Sequence, residues 1–245
     1  MSREIFVIGD IHGDYNLLDA RFGEIKTTKA IEKKDVLFVA GDAGFIISYE
    51  TSDSKQKRIK HLNSLPFIII VVLGNHENYD VIESLNETTI FNGKCYKEED
   101  VDVYYAKNGQ IFDIDGIKFF TFNGGLSVDK EKRLEYEKQY NIKFWWKQEI
   151  KEEDFQTSFT NYLMHHVDYV ITHDVPLSIF KQLTPFIPGR FKDQTCPLQG
   201  FLQKIYAVPK FKKWFAGHYH PSYPVTIEKL TVLPIGHLEK IETTR

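Results

Sequence analysis

An α/β fold, with two sheets packed face to face and helices outside, is what this sequence predicts. Three observations point to it. Apolar runs rich in Val, Ile and Phe alternate with helical patterns from Ile5 to Leu73. The middle of the chain then changes to short β-prone runs around Asn108-Gly109 and Asp115-Gly116, dipeptides that tolerate positive φ and favour tight turns. Strand-like runs of the first kind return at Tyr169 and Trp214.

Taken in order, Ile5–Ile8 is the first predicted strand, and a helix follows in which Leu18, Phe22 and Ile25 recur at helical spacing. Val36–Ala40 is the second strand, and Ile59 and Leu62 mark the next helix. Phe67–Leu73 is apolar throughout, as a strand buried on both faces must be. Strand–helix–strand alternation implies parallel pairing with right-handed crossovers. Val103 to Phe122 is expected to be an antiparallel meander ending in the strand Lys118–Phe122. Asp129 to Asp154 is charged and aromatic with no Gly or Pro, and one or two helices covering an edge of the domain are expected there, in an edge segment of about 126–165. Tyr169–Thr172, Trp214–Ala216 and Val225–Leu233 complete the strands. With 245 residues, 42% of them hydrophobic, and no linker or repeat, residues 1–245 are expected to form one domain.

Composition narrows the function classes. The net charge of -3 gives no field that would draw the whole molecule onto nucleic acid or an anionic membrane, although a local basic groove for nucleic acid is compatible with it. The apolar run before Gly9 is too short for a signal peptide, and no run approaches a membrane span. Cys95 and Cys196 are far apart and lack a CxxC spacing, so a disulfide framework or structural zinc is not expected, and a reducing cytoplasm fits best.

Chemistry is concentrated in five motifs: GDIHG (Gly9 to Gly13), GDAG (Gly41 to Gly44), GNHE (Gly74 to Glu77), THD (Thr172 to Asp174) and GHYH (Gly217 to His220). A lone GD after a strand commonly ends the strand and caps a helix; joint occurrence of all five carries the argument. Two adjacent divalent cations need a bridging group, and Asp42 suits it. One cation would take Asp10 and His12, which as residues i and i+2 point the same way on a segment leaving a strand, plus one imidazole of GHYH. The other would take Asn75, His173 and the remaining imidazole, His218 and His220 again being two apart. Mixed oxygen and nitrogen donors favour manganese, iron, zinc or related ions; manganese is the cation expected, with iron, zinc, nickel or cobalt as alternatives.

These residues resemble the calcineurin-like metallophosphoesterase superfamily, whose pattern is D-x-H, G-D, G-N-H-E/D, H and G-H-x-H. The resemblance runs from Asp10 to His220 and implies a four-layer α/β/β/α sandwich of two mixed sheets with flanking helices. It implies Asp10, His12, Asp42 and His220 on one metal and Asp42, Asn75, His173 and His218 on the other. It also implies a phosphate monoester or diester attacked by a dimetal-bridging hydroxide, with His76 as general acid beside the leaving group. Protein serine/threonine phosphatases of the superfamily extend the second motif as GDxVDRG. Here it runs GDAGFII, which disfavours a phosphoprotein phosphatase. GGLSVDKEKR with the later WWKQE looks like a phage and bacterial branch. Asp80 is expected either to orient His76 or to cap the following helix. Asp174 and Asp14 are candidates for fixing ligand imidazoles, Asp14 being more readily a cap. Arg133, Arg190 and Trp146, with Lys192 and Trp145, lie in segments that can overhang the site and meet a phosphorylated small molecule or nucleotide, although paired tryptophans more often pack an edge. A catalytically silent scaffold is the rival from another class, and it would be expected to have lost ligands that this chain retains.

Overall fold

The computed structural model describes residues 3–26, 35–46 and 50–242. The first part of the chain is β1 (Ile5–Ile8), α1 (Tyr15–Lys26), β2 (Asp35–Ala40), α2 (Ser52–Ser64), β3 (Phe67–Val72) and the short α3 (Tyr79–Ile82). Next come β4 (Asn86–Ile90), β5 (Gly93–Lys97), β6 (Val103–Ala106), β7 (Gln110–Ile114) and β8 (Ile117–Phe122). Then α4 (Lys130–Tyr140), α5 (Glu152–Met164), β9 (Tyr169–Thr172), α6 (Leu177–Leu183), α7 (Pro197–Tyr206) and β10 (Lys213–Ala216) lead to β11 (Val225–Ile227), β12 (Leu230–Val232) and β13 (Leu238–Ile241).

The strands form two mixed sheets, ordered β13-β1-β2-β3-β6-β5-β4 and β11-β12-β10-β9-β8-β7. Each has a parallel centre, β1-β2-β3-β6 in one and β12-β10-β9-β8 in the other, with antiparallel strands at its edges. Strand alternation assigns the layers. Val7, Phe38 and Ile70 of the first sheet share a core with Phe119, Ile171 and Phe215 of the second. The opposite residues Phe6, Leu37 and Ile69 pack under Leu18, Phe22 and Leu62 of α1 and α2. Val170 and Trp214 pack under Tyr162, Ile179, Phe201 and Ile205 of α5, α6 and α7. The result is the expected helix–sheet–sheet–helix stack. Ile25 falls outside the described side chains.

Three local expectations are corrected. Val103–Phe122 is not one meander: β6 pairs in parallel with β3 in the first sheet, while β7 and β8 pair in the second. Asp115-Gly116 does make a two-residue hairpin turn, both at positive φ (53° and 85°), but the chain at Asn108-Gly109 crosses between sheets. Val225–Leu233 is a hairpin rather than one strand, turning where Glu228 adopts φ 53°. Asp129 to Asp154 holds α4 and the first turn of α5, with irregular backbone between them. Among the described residues no helix is long and apolar enough to cross a membrane, and both cysteines are free.

Candidate metal centre

The carboxyl ends of β1, β2 and β3 in one sheet and of β9 and β10 in the other converge on one rim. From the first sheet come Asp10, His12, Asp42, Asn75 and His76, and from the second His173, His218 and His220. Asp10 and His173 are fully buried, and Asp42 nearly so. The backbone turns sharply at each exit. His12, Asp42, His218 and His220 all have positive φ (52°, 47°, 72° and 46°). A non-glycine residue in this region costs on the order of 1–3 kcal/mol and persists where surrounding structure enforces it, commonly at functional sites. The glycines let one motif lie directly on the next. A Cβ on Gly217 would stand 2.2 Å from Asp10 Oδ1, and one on Gly74 2.1 Å from Asp42 Oδ1.

Two clusters of donors result. In the first, His220 Nε2 lies 2.7 Å from Asp10 Oδ2 and 3.2 Å from His12 Nε2. In the second, His173 Nε2 lies 3.0 Å from Asn75 Oδ1 and 3.4 Å from Asp42 Oδ2, with the His218 ring 4.7 Å from that of His173. Three groups of side chains have donor atoms close enough for one cation: Asp10, His12 and His220; His12, Asp42 and His76; Asp10, Asp42 and His173. The shared members join the clusters into one continuous site.

The buried imidazoles respond in opposite directions: burial and then the neighbouring His173 hold the pKa of His218 well below the ordinary range. Burial would lower the pKa of His173, but Asp42 and Asp10 outweigh it and raise the group to about 10. Burial opposes ionisation of Asp42, yet His173 holds its carboxyl well below the usual range. His173 Nδ1 donates to the Ala40 carbonyl at 2.9 Å, which turns Nε2 toward the site. That acceptor is a backbone oxygen, not Asp174. Asp174 instead accepts from Val175 N–H and the Tyr219 hydroxyl. Asp14 caps α1, accepting from Leu17 N–H at 3.1 Å. A carboxylate–imidazole–amide set fits divalent cations of the borderline class.

His76 sits at the mouth, its backbone N–H donating to Asp42 Oδ1 at 2.8 Å. Burial lowers its pKa; Asp42 and Asp129 oppose that, and Arg133 adds to it. The carboxylate facing His76 is Asp129, with Oδ2 3.4 Å from Nε2 and a buried Oδ1 that has no hydrogen-bond partner among the described residues. Asp80 neither orients His76 nor caps α3. It is exposed in an ion pair with Lys143, and Asn78 is the cap, accepting from Val81 N–H. Asp129 was missed because its partner lies far along the chain, beyond the reach of any local spacing rule.

Arg133 is buried, and its guanidinium donates to the carbonyls of Asn75 (3.1 Å) and Phe144. It braces the backbone of Asn75 from a buried position. Trp146 is buried beneath Arg133 in the first sheet's outer core. Trp145 is the half-buried one, with the Lys130 ammonium 4.4 Å from its ring centre. Arg190 is exposed on the rim, a guanidinium nitrogen 3.4 Å from His220 Nδ1. Glu77 also went unread. It is fully buried, its Oε1 accepts from Ala43 N–H at 2.7 Å, and burial followed by the Asp42 charge pushes its carboxyl up to about 8. It pins the turn that presents Asp42.

A family model described as calcineurin-like phosphoesterase matches residues 4–222. No curated protein matches the chain. Among solved structures, a phosphopantetheinyl hydrolase from Mycobacterium tuberculosis is similar, with 12% identity, 99% of this chain and 97% of that chain covered, and a TM-score of 0.45. A protein serine/threonine phosphatase from Saccharomyces cerevisiae is similar at 14% identity, covering 95% of this chain and 67% of that chain, with a TM-score of 0.40.

Proposed function

The chain belongs to the calcineurin-like phosphoesterase family, and from that premise we propose that it hydrolyses phosphate esters of small molecules or nucleotides with two divalent cations at the strand-end rim. The overlap of the donor groups carries the reading: Asp10, His12 and Asp42 each belong to two of the three. Asp10, His12, Asp42 and His220 would hold one ion, and Asp42, Asn75, His173 and His218 the other. When bound, such ions polarise phosphoryl oxygens and lower the pKa of water toward neutrality.

The chain's own groups then have separate tasks. His76 delivers a proton to the leaving oxygen, a role worth about 10²–10⁴ in rate. Its half-buried position makes the proton easier to give up, while Asp129 keeps one available at Nε2. Arg190, on the open side of His220, supplies a cation for the phosphate. Arg133 fixes the backbone of Asn75, the residue before His76. Phe45 and Ile46, which follow GDAG, are buried in the core, so that loop offers no arginine to a phosphoprotein.

The test is hydrolysis of p-nitrophenyl phosphate, bis-p-nitrophenyl phosphate and a phosphopeptide after chelation and reloading with manganese, iron, zinc, nickel or cobalt. Cleavage of one or both nitrophenyl esters in preference to the peptide is expected. Failure with every ion would overturn the reading, and preference for the peptide would return it to the phosphoprotein phosphatases.

A further inference from the structure

The two loops that bring the second sheet's histidines to the rim are tied together by the side chains beside those histidines. Asp174 follows His173 directly, and Tyr219 stands between His218 and His220. The Tyr219 hydroxyl donates to Asp174 Oδ1. Gln199 of α7 donates its Nε2 to the same hydroxyl at 3.0 Å and to Asp174 Oδ1 at 3.4 Å, while its Oε1 accepts from Cys196 N–H at 3.3 Å. Val175 N–H also donates to Asp174 Oδ1, at 2.7 Å. A second bridge runs through Thr172, whose hydroxyl donates to the Asp174 carbonyl at 2.6 Å and accepts from Trp214 Nε1 of β10 at 2.7 Å. Thr172, Asp174, Gln199, Trp214 and Tyr219 are each at most 1% exposed. A buried network satisfied in this way is rigid.

Its place in the fold gives that rigidity a use. Pairing between β9 and β10 is extended by Gly217 N–H, which donates to the His173 carbonyl at 3.1 Å. His218 and His220 then turn at positive φ, so side-chain contacts have to continue what the ladder begins. On one side His218 N–H donates to Asp10 Oδ1 at 3.0 Å. On the other the Tyr219 ring lies 4.7 Å from the His218 ring, which Phe191 also meets at 5.2 Å. A shift of Tyr219 is therefore passed to His218. We propose that Asp174 and Tyr219 are positioning residues, which hold His173 and His218 at the spacing that one divalent cation needs. That cation has two of its four proposed ligands on the tied loops, His173 and His218, and the other cation has only His220. The inference rests on the two-cation reading for the ions, but the placing of the imidazoles can be followed without them.

The experiment titrates manganese calorimetrically into the chelated wild-type protein, Tyr219→Phe, Asp174→Ala and Asp174→Asn, with the histidine ring signals recorded by NMR before manganese is added. Tyr219→Phe keeps the ring and loses the donor; Asp174→Asn keeps an oxygen acceptor. Loss of a group behind a metal ligand costs about 10- to 100-fold in affinity. A fall of that size is expected for one of two manganese ions in Tyr219→Phe and Asp174→Ala, and a smaller one in Asp174→Asn, with the affinity of the other ion nearly kept. In the metal-free protein the ring signals of His173 and His218 should move in Tyr219→Phe, while that of His76, on the other sheet, stays. A network that only stabilises the fold would lower Tm and leave the ratio of the two affinities and the ring signals as they were, and that result would overturn the proposal. If the wild-type protein binds fewer than two manganese ions, the two-cation reading fails separately. The ring signals then decide: movement at His173 and His218 supports the positioning role, and no movement refutes it.

Discussion

The rim of strand ends and the segment that overhangs it, Gly124 to Ile150, meet at the same site but are built on different principles. Each rim group leaves a buried parallel strand and turns at once, so the two sheets fix its position. The overhang has one helix, α4, whose only buried described residue is Arg133. Trp146 is its only buried hydrophobic among the described residues, Arg133 ties it to the Asn75 carbonyl, and further contacts organise it internally: Arg133 to the Phe144 carbonyl, and Glu137 Oε1 accepting from the Phe144 and Trp145 N–H groups at 2.9 and 2.7 Å. Elements secured by few apolar contacts open locally at low cost. The groups proposed for the chemistry thus sit on the sheets, and the candidate for meeting a substrate in the overhang, Trp145, would sit on a part that can change without disturbing them.

If that division holds, the largest losses come from the rim. Asp42→Asn removes the charge between the two donor clusters and is expected to cost about 10³-fold or more in kcat/KM, since metal stabilisation of transition-state charge is worth several kcal/mol. A second readout is independent of turnover. Manganese at about 100 times its dissociation constant should stabilise the wild-type protein by about 2.7 kcal/mol, seen as a rise in Tm, and Asp42→Asn should show a smaller rise. Full activity in this variant would break the comparison at its strongest point. His76→Ala should retain the metal-induced rise in Tm yet lose about 10²-fold or more with poor leaving groups, and less with nitrophenyl esters. Equal losses for all leaving groups would remove His76 from proton transfer.

The same division explains what was legible in the sequence. Rim residues advertise themselves because strand, glycine and ligand are contiguous: Val7-Ile8-Gly9-Asp10 and Phe215-Ala216-Gly217-His218 carry their context with them. The four layers were legible for the same reason, since Phe67–Leu73 can only be a strand covered on both faces. Pairings across the chain were not. Nothing near Asn108-Gly109 says that the next strand joins the other sheet, and the β4–β5 hairpin turns on Phe91 and Asn92 (φ 49° and 66°), one residue before the Asn92-Gly93 pair would place it. In the overhang, Trp145 and Trp146 are identical letters with opposite fates, decided by Arg133 packing on the second. Asp129 and Asp80 differ in role for a similar reason, because only the fold brings one of them to His76.

Effects in the overhang should be smaller. Asp129→Asn leaves the imidazole of His76 in place but removes the carboxylate facing it, and about a 10-fold fall in kcat is expected, of the order seen when a group behind a catalytic ligand is lost. An unchanged kcat would mean that Asp129 merely starts α4. Arg133→Met removes the guanidinium donor to the buried Asn75 carbonyl and to the Phe144 carbonyl, at about 1–3 kcal/mol. Its signature should be a lower Tm and a higher KM as the segment loosens, with manganese binding retained. Loss of manganese would show that the rim depends on the overhang for its geometry.

The smallest effect is the sharpest discriminator, because it concerns a carboxylate that sequence proximity favours and geometry rejects. Asp80 is only four residues from His76, on a short helix that begins at the same motif. Its side chain is 57% exposed and paired with Lys143 at the surface. Exposed pairs of this kind contribute about 0–1 kcal/mol, so Asp80→Asn should leave kcat and KM within experimental scatter and shift Tm slightly at most. The pair does tie α3 to the overhang, and any effect should therefore shrink in high salt, as a screened surface contact must. If Asp80→Asn instead reproduced the leaving-group dependence of His76→Ala, the carboxylate acting with His76 would be Asp80. Asp129 would then be a helix-start residue, and the line between rim and overhang would have to be redrawn through α3.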